Sequence, residues 1–507
     1  MMTLARTRCI TLLGVQGHVV EVEVHLGGGE HGVTLVGLPD AALREARDRI
    51  RAAVVNSGEG WPSGQIVISL SPASLPKAGS LFDLAIASAV LASAGAVPVD
   101  RLRNTVLIAE LGLDGRARPV RGVLPAVVSA AEQGYRDFVV SRDNAAEARL
   151  VPDIEVTAVG SLMDLCGWLR GEDLPQDPEE SVPRPREPRD QGPDLADVLG
   201  QPVARRAVEI AAAGGHNLMM LGAPGTGKSL LAERLPGVLP RLRPEEALEA
   251  TAIHSVAGIL PPGSPLVTTP PFAAPHHTST RAAIIGGGSG HPAPGWVSKA
   301  HRGVLFVDEA PQFGRGVLDS LREPLERGEV VLARAAATVT FPARFQLVMA
   351  ANPCPCAKPG PLCTCPAGER QRYLSRLSGP LLDRIDLKVE LPPVSRAELL
   401  ADRAFAESSE VVAARVEKAR ARAAERLAHT PWRTNAAVPG AWLRREFPVE
   451  PAALRVLGRA MDLGQISARG VDRALRVAWT LADLGDRDRP GEEETAYAFA
   501  LWSGRTW

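Results

Sequence analysis

The chain has 507 residues, 45% of them apolar, and a formal net charge of −1. At ~150 residues per domain there is room for about three domains with full cores. Near-neutrality excludes a global pull toward nucleic acid, so any such contact has to come from a local basic patch, and six cysteines in this length do not make a disulfide scaffold. Met1 to Val19 carries no unbroken apolar signal-peptide core. The longest apolar run, Leu84 to Val97, is broken by Ser88 and Ser93 and is too short to cross a bilayer. The expectation is a cytoplasmic protein without a membrane partner, with that run as a buried helix.

In chain order, residues 1–170 read as an α/β unit. Val20, Val22, Val24 and Leu26 alternate with Glu21, Glu23 and His25, the period of a half-buried strand. Ile66 to Leu70 and Val106 to Ala109 read as further strands, and Ala41 to Val55 and Leu81 to Leu91 carry helical spacing. Residues 171–192 are rich in proline and charge and read as a solvated, semi-extended linker. Residues 193–394 hold the nucleotide motifs. Residues 395–507 are rich in Ala, Arg, Glu and Leu at helical periods and predict an all-helical cap.

The sharpest signal is the apolar strand Asn217 to Leu221 running into Gly222-Ala223-Pro224-Gly225-Thr226-Gly227-Lys228-Ser229, with a helical run after it. This is a P-loop. The glycines let backbone N–H groups converge on phosphate oxygens at a helix N-terminus. Lys228 is expected to reach the β- and γ-phosphates of ATP, and the Ser229 hydroxyl to sit on Mg2+. A second apolar strand, Gly303 to Val307, ends in Asp308 and Glu309. Asp308 is then expected to hold the Mg2+ shell and Glu309 to polarise the attacking water.

Gly328 to Phe345 reads as a β-hairpin with Arg334 at or near its tip. An arginine there can meet phosphates without reading sequence; an ordinary solvated hairpin arginine is the alternative. Cys354, Cys356, Cys363 and Cys365 form C-x-C-x6-C-x-C. Four clustered thiols favour tetrahedral Zn2+, with redox chemistry and free structural thiols as the alternatives. His276 and His277 are adjacent and are expected to point in different directions, as structural residues or contacts to a neighbouring subunit.

Together these motifs resemble a magnesium-chelatase-like AAA+ ATPase of the YifB/ComM family. The resemblance rests on Asp197 to Gln201, Ala211 to Asn217, Ala274 to Thr278, Ile285 to Gly288, Asn352 to Cys356 and Tyr373 to Asp386. Pro270 and Ala273 depart from it where basic residues are usual, and Trp479 where an arginine is usual. The resemblance implies a homo-hexameric ring with ATP at each subunit junction. Gly200 and Gln201 would then lie on the adenine side. Asn352 would orient the lytic water, Arg384 would be the arginine finger, and Arg469 the lid arginine that senses the γ-phosphate, with Arg473 as runner-up.

Residues 5–170 resemble the Lon-protease domain, which has a ribosomal S5 domain 2-like α+β fold. Leu75 to Asp83 lies over that family's serine motif and Gly112 to Val127 over its lysine segment. Leu81 falls at the nucleophile position, Ser80 is one residue off, and Leu124 to Val127 holds no lysine. The catalytic pair is missing. The expected fold class is therefore multidomain α/β: a Lon-like α+β N-terminal domain, an AAA+ P-loop α/β core and a helical C-terminal lid. The expected function is an ATP-driven ring motor on single-stranded or branched DNA, a branch-migration helicase. The rivals are a chelatase-type remodeller of metal or porphyrin enzymes and a protein unfoldase.

Overall fold

The computed structural model describes residues 4–29, 31–37, 41–77, 79–174, 192–260, 266–288, 292–333, 338–358, 362–395 and 406–504. Arg334 and most of the expected linker lie outside the described residues.

The N-terminal part builds a seven-stranded mixed sheet. Its order is Gly32–Val36, Gln65–Ser71, Gln16–Gly27, Leu4–Leu13, Thr105–Ile108, Asp137–Ser141 and Glu155–Val159. Leu4–Leu13 and Gln16–Gly27 form an antiparallel hairpin, while the strands from Leu4–Leu13 to Glu155–Val159 run parallel. Val20, Val22 and Val24 are fully buried, as their alternation predicts. Both faces of the sheet are covered. Helices Ala41–Asn56 and Asp83–Ser93 pack on one, and Val123–Glu132 and Arg142–Ala148 on the other.

Helix Asp83–Ser93 takes up the long apolar run Leu84 to Val97 as far as Ser93, with all its residues buried, and the run leaves the helix in a turn at Ala94 and Gly95. Its two serines are tolerated there because each hydroxyl donates back into its own helix, Ser88 to the Leu84 carbonyl at 2.7 Å and Ser93 to that of Val90 at 2.8 Å. The helix opens on Asp83, which has no exposed side-chain surface and accepts from Arg49 Nε at 2.7 Å and Nη2 at 3.0 Å. Burial still pushes this carboxyl up to about 6.

The nucleotide core is a five-stranded parallel sheet in the order Phe272–Ala273, Val304–Val307, Gln346–Ala351, Leu218–Gly222 and Leu387–Leu391. Its side chains alternate between two clusters. Val304, Phe306, Val348 and Ala350 face helices Pro202–Gly214, Lys228–Val238 and Ser409–Arg426. Leu305, Val307, Leu347 and Met349 face Val297, Phe313, Leu377 and Ile385. The expected hairpin is present as Glu329–Ala333 paired antiparallel with Thr338–Pro342.

Among the described residues from 406 onward there are helices and no strand. Gly440–Glu446, Pro451–Asp462, Ala468–Leu484 and Glu492–Ser503 share a core that includes Trp479. That residue, unusual for the family resemblance, is buried under the Arg426 guanidinium at 4.3 Å. The N-terminal sheet leans on the nucleotide core at two places. Ser255 of helix Pro244–Ala257 hydrogen-bonds the buried Glu147, and Gly14 lies so close to the hairpin that a Cβ would meet Val339 Cγ1 at 2.7 Å.

Arg49→Met leaves a buried carboxylate unpaired and should destabilise the N-terminal domain by about 3 kcal/mol at pH 7. The folded carboxyl titrates above its ordinary value, so stability linked to it is present at low pH and lost as pH rises through about 6. The deficit should therefore be small near pH 4 and grow toward pH 7. Urea unfolding followed by hydrogen exchange in residues 83–93 checks this.

Candidate ATPase site

The order of the parallel sheet brings the predicted residues together. Leu218–Gly222 ends in the P-loop, Val304–Val307 ends in Asp308 and Glu309, and Gln346–Ala351 lies between them and ends in Asn352. At Gly222 a Cβ would meet Thr226 Oγ1 at 2.6 Å and the Leu391 carbonyl at 2.9 Å. Gly225 and Gly227 take φ of 79° and 93°, which a side chain would strain.

Lys228 is buried. Its Nζ donates to the carbonyls of Gly222 at 2.7 Å and Ala223 at 2.8 Å, and to Asn352 Oδ1 at 3.2 Å. Desolvation lowers its pKa, against the opposing pull of Asp308 and Glu309. Ser229 Oγ donates to Asp308 Oδ2 at 2.9 Å. A hydroxyl and a carboxylate this close are a hard oxygen pair, which fits Mg2+. That ion would neutralise charge on bound phosphates. Gln201 ties the P-loop to the far strand, donating to the Thr226 carbonyl at 3.2 Å and that of Pro392 at 2.8 Å.

Glu309 sits at φ 49°, a left-handed position that is costly for a non-glycine residue. Its carboxylate is 41% exposed and its Oε2 lies 3.4 Å from His277 Nδ1. The two histidines do not diverge as expected. Their rings lie face to tilted face, with centroids 4.2 Å apart. Their backbone leaves the short strand Phe272–Ala273 beside Val304–Val307, and that brings His277 to Glu309. Sequence reasoning missed this contact, because the two residues are far apart in the chain and only the sheet order joins them.

The arginines are elsewhere. Arg384, Arg469 and Arg473 line one cleft of about 1160 Å3, together with Arg241, Arg344 and Arg433. Among the described residues lining it, none belongs to residues 222–229, and neither Asp308 nor Glu309 is there. Arg384 pairs with Glu326 and with the Pro380 carbonyl, and its Nε is buried without a partner. Arg469 is exposed. Arg473 donates to the buried Asp386. Burial pushes the Asp386 carboxyl up, but His216 and Arg473 outweigh it and hold it well below the usual range.

Four thiols follow Asn352. Cys354 Sγ is 3.3 Å from that of Cys356 and 3.4 Å from that of Cys363, and Cys356 to Cys363 is 3.7 Å. All four sulfurs, Cys365 included, lie within 4.8 Å of one another. Four sulfurs at ~2.3 Å from one Zn2+ would be of order 3.8 Å apart, so the cluster can close around such an ion. The Lys358 N–H draws the Cys356 thiol down to about 6, while donation to Cys356 pushes Cys365 up to about 12.

In the N-terminal domain Ser80 donates to Glu110, and Lys77 is buried, with its ammonium on the Pro72 carbonyl and its pKa lowered by desolvation. Leu124 to Val127 is a buried apolar stretch.

Three families match along the chain. Residues 194–399 match Magnesium chelatase, subunit ChlI; residues 22–144 match Subunit ChlI of Mg-chelatase; residues 406–501 match its C-terminal part. The chain is 40% identical over 489 residues to the uncharacterized protein YifB of Escherichia coli, covering 96% of this chain and 94% of that one. It is 40% identical over 497 residues to the competence protein ComM of Haemophilus influenzae, covering 95% and 94%. The chain belongs to the magnesium-chelatase-like YifB/ComM family of AAA+ ATPases. Another relative, the uncharacterized protein Rv2897c of Mycobacterium tuberculosis, is 51% identical over 509 residues and 99% of each chain. Family membership brings ATP and Mg2+ with it. No described helix is long and apolar enough to cross a membrane.

Glu309→Gln should keep ATP binding and abolish turnover, since the cradle is untouched and only water activation is lost. Lys228→Ala should weaken binding itself. Isothermal titration with a non-hydrolysable ATP analogue, beside phosphate release, separates the two; turnover near wild type in both would remove the assignment.

Proposed function

We propose that this chain is the repeating subunit of a homo-hexameric ring that hydrolyses ATP at its subunit junctions and moves single-stranded or branched DNA, as a branch-migration helicase would. The observation that carries the ring is the separation of the parts. Lys228, Ser229, Asp308, Glu309 and Asn352 converge at the carboxyl ends of the parallel strands, whereas Arg384, Arg469 and Arg473 share a cleft that includes none of them. An arginine that stabilises transition-state charge has to reach the γ-phosphate. Here it does so from the next subunit, as head-to-tail contacts closing into a ring allow.

Within each junction Lys228 holds the phosphates, Ser229 and Asp308 hold Mg2+, and Glu309 takes the proton of the attacking water while Asn352 orients it. Arg384 supplies positive charge in trans, and Arg469 reads the γ-phosphate beside it. Gly200 and Gln201 line the adenine side. The N-terminal domain has the Lon-protease shape without its Ser–Lys pair and serves as a platform. The four thiols bind one Zn2+ that staples the loop beside Asn352.

DNA as the substrate draws support from the relative named a competence protein. With a net charge of −1 the contact is local, and the hairpin Glu329–Ala333 with Thr338–Pro342 is the element proposed for it, Arg334 following its first strand. ATPase activity should be stimulated by branched DNA, and ATP-dependent strand exchange on a three-stranded junction should follow. Stimulation by a porphyrin–metal enzyme partner, or by unfolded protein, in place of DNA would move the reading to a chelatase-type remodeller or an unfoldase.

Arg384→Ala should leave nucleotide binding intact and lower turnover by roughly 10³-fold. Mixing it with Lys228→Ala should restore part of the activity, because each supplies what the other's junction lacks. Freshly reduced protein should carry about one zinc per chain by metal analysis; four freely titratable thiols and no zinc would remove the staple.

A further inference from the structure

The ring reading leaves the buried carboxylate of Asp386 unused. Asp386 lies two residues after Arg384, is 2% exposed, and is far from the P-loop end of the sheet. Two separate segments meet on it. Arg473, from helix Ala468–Leu484, donates to its Oδ1. The Asn217 N–H donates to its Oδ2 at 3.2 Å, and His216 Nδ1 lies 3.5 Å from the same oxygen. His216 is in turn held through Nε2 to Thr480 Oγ1 at 2.7 Å, on the same helix as Arg473.

Asn217 completes the junction. Its carbonyl accepts from the N–H groups of Asp386 and Leu387, both at 3.1 Å. Its Nδ2 donates to the Arg384 carbonyl at 2.8 Å, and its Oδ1 accepts from the Leu347 N–H at 2.8 Å. The next residue, Leu218, begins the strand that ends in the P-loop.

We propose that Asp386 is a positioning residue: it locks Arg473 and the Arg384 turn into one body fixed to the amino end of the P-loop strand, and so governs hydrolysis in the neighbouring subunit's site and not in its own. The proposal rests on the ring reading. A countercharge kept only for stability needs one cation. This carboxylate instead binds Arg473 on one side and the Asn217 N–H on the other, and Asn217 in turn holds the carbonyl of Arg384, whose side chain lines the same cleft as Arg473. A finger displaced by about 1 Å loses roughly 10²-fold in rate, so the arginines need such a brace.

The test uses the full chain. Asp386→Asn keeps the size and an acceptor oxygen but removes the charge. Binding of fluorescent mant-ADP should be unchanged, and ATP turnover should fall roughly 10²-fold. Mixed with Lys228→Ala, it should regain activity that neither variant has alone. In a randomly mixed ring about a quarter of the junctions pair an intact P-loop with an intact arginine face. A merely structural defect would not complement in this way. Asn217→Ala, which cuts the bond to the Arg384 carbonyl while leaving Asp386 and Arg473 paired, should behave likewise and keeps the test open if Asp386→Asn does not fold. Arg384→Ala mixed with Lys228→Ala is the control. Recovery there without recovery for either variant overturns the role of Asp386 alone, as does weakened mant-ADP binding. No recovery in the control overturns the ring reading and this one with it.

Discussion

The parallel register of Leu218–Gly222 between Gln346–Ala351 and Leu387–Leu391 is the constraint on which the rest depends. A parallel strand has two chemically different ends. At the carboxyl end stand the P-loop, Asn352 and the Asp308–Glu309 pair. At the amino end, about 17 Å away for five residues, stand Asn217, Arg384 and Asp386. No side chain spans that distance, so one chain cannot bring its own Arg384 to its own phosphates. An Arg384 that acts on phosphate therefore has to come from an adjacent chain, as the proposed ring supplies it.

At three described positions a buried charge is met by polar partners. Lys228 is covered by two carbonyls and Asn352, Asp83 is met by Arg49, and Asp386 by Arg473 and His216. Each arrangement satisfies a group whose desolvation would otherwise cost several kcal/mol. They differ in what else they hold. Asp83 closes off a helix inside one sheet domain. Lys228 leaves its contacts to carbonyls and an amide, which phosphate oxygens can replace. Asp386 joins a strand, a turn and a helix from distant parts of the chain. For that reason Asp386, of the three, is the one proposed to act beyond its own stability.

Much of this was readable from the sequence where local chemistry is decisive. Gly225 and Gly227 stand at positive φ because a phosphate cradle requires it, and Val20, Val22 and Val24 point inward because a strand alternates. Ser229 meets Asp308 as the motif pair predicts. The thiols of Cys354, Cys356, Cys363 and Cys365 gather as their spacing suggests. What the sequence hid depends on strand order. His277 reaches Glu309 only because Phe272–Ala273 pairs with Val304–Val307, and no period or motif carries that information. Asp386 stood in view within the Arg384 motif, yet its partners His216, Asn217 and Arg473 come from distant segments. Arg384 and Arg469 matched a motif, but only the cleft sets them apart from the P-loop.

The central claim is that each ATP is completed by arginines of the adjacent chain. A photoreactive group on the γ-phosphate of ATP tests it directly, in rings mixed from wild-type subunits and mass-tagged Lys228→Ala subunits that cannot hold nucleotide. The account predicts label on the tagged chain, in peptides containing residues 379–387 or 468–484. Label confined to the untagged chains, within the subunit that binds the nucleotide, would contradict it.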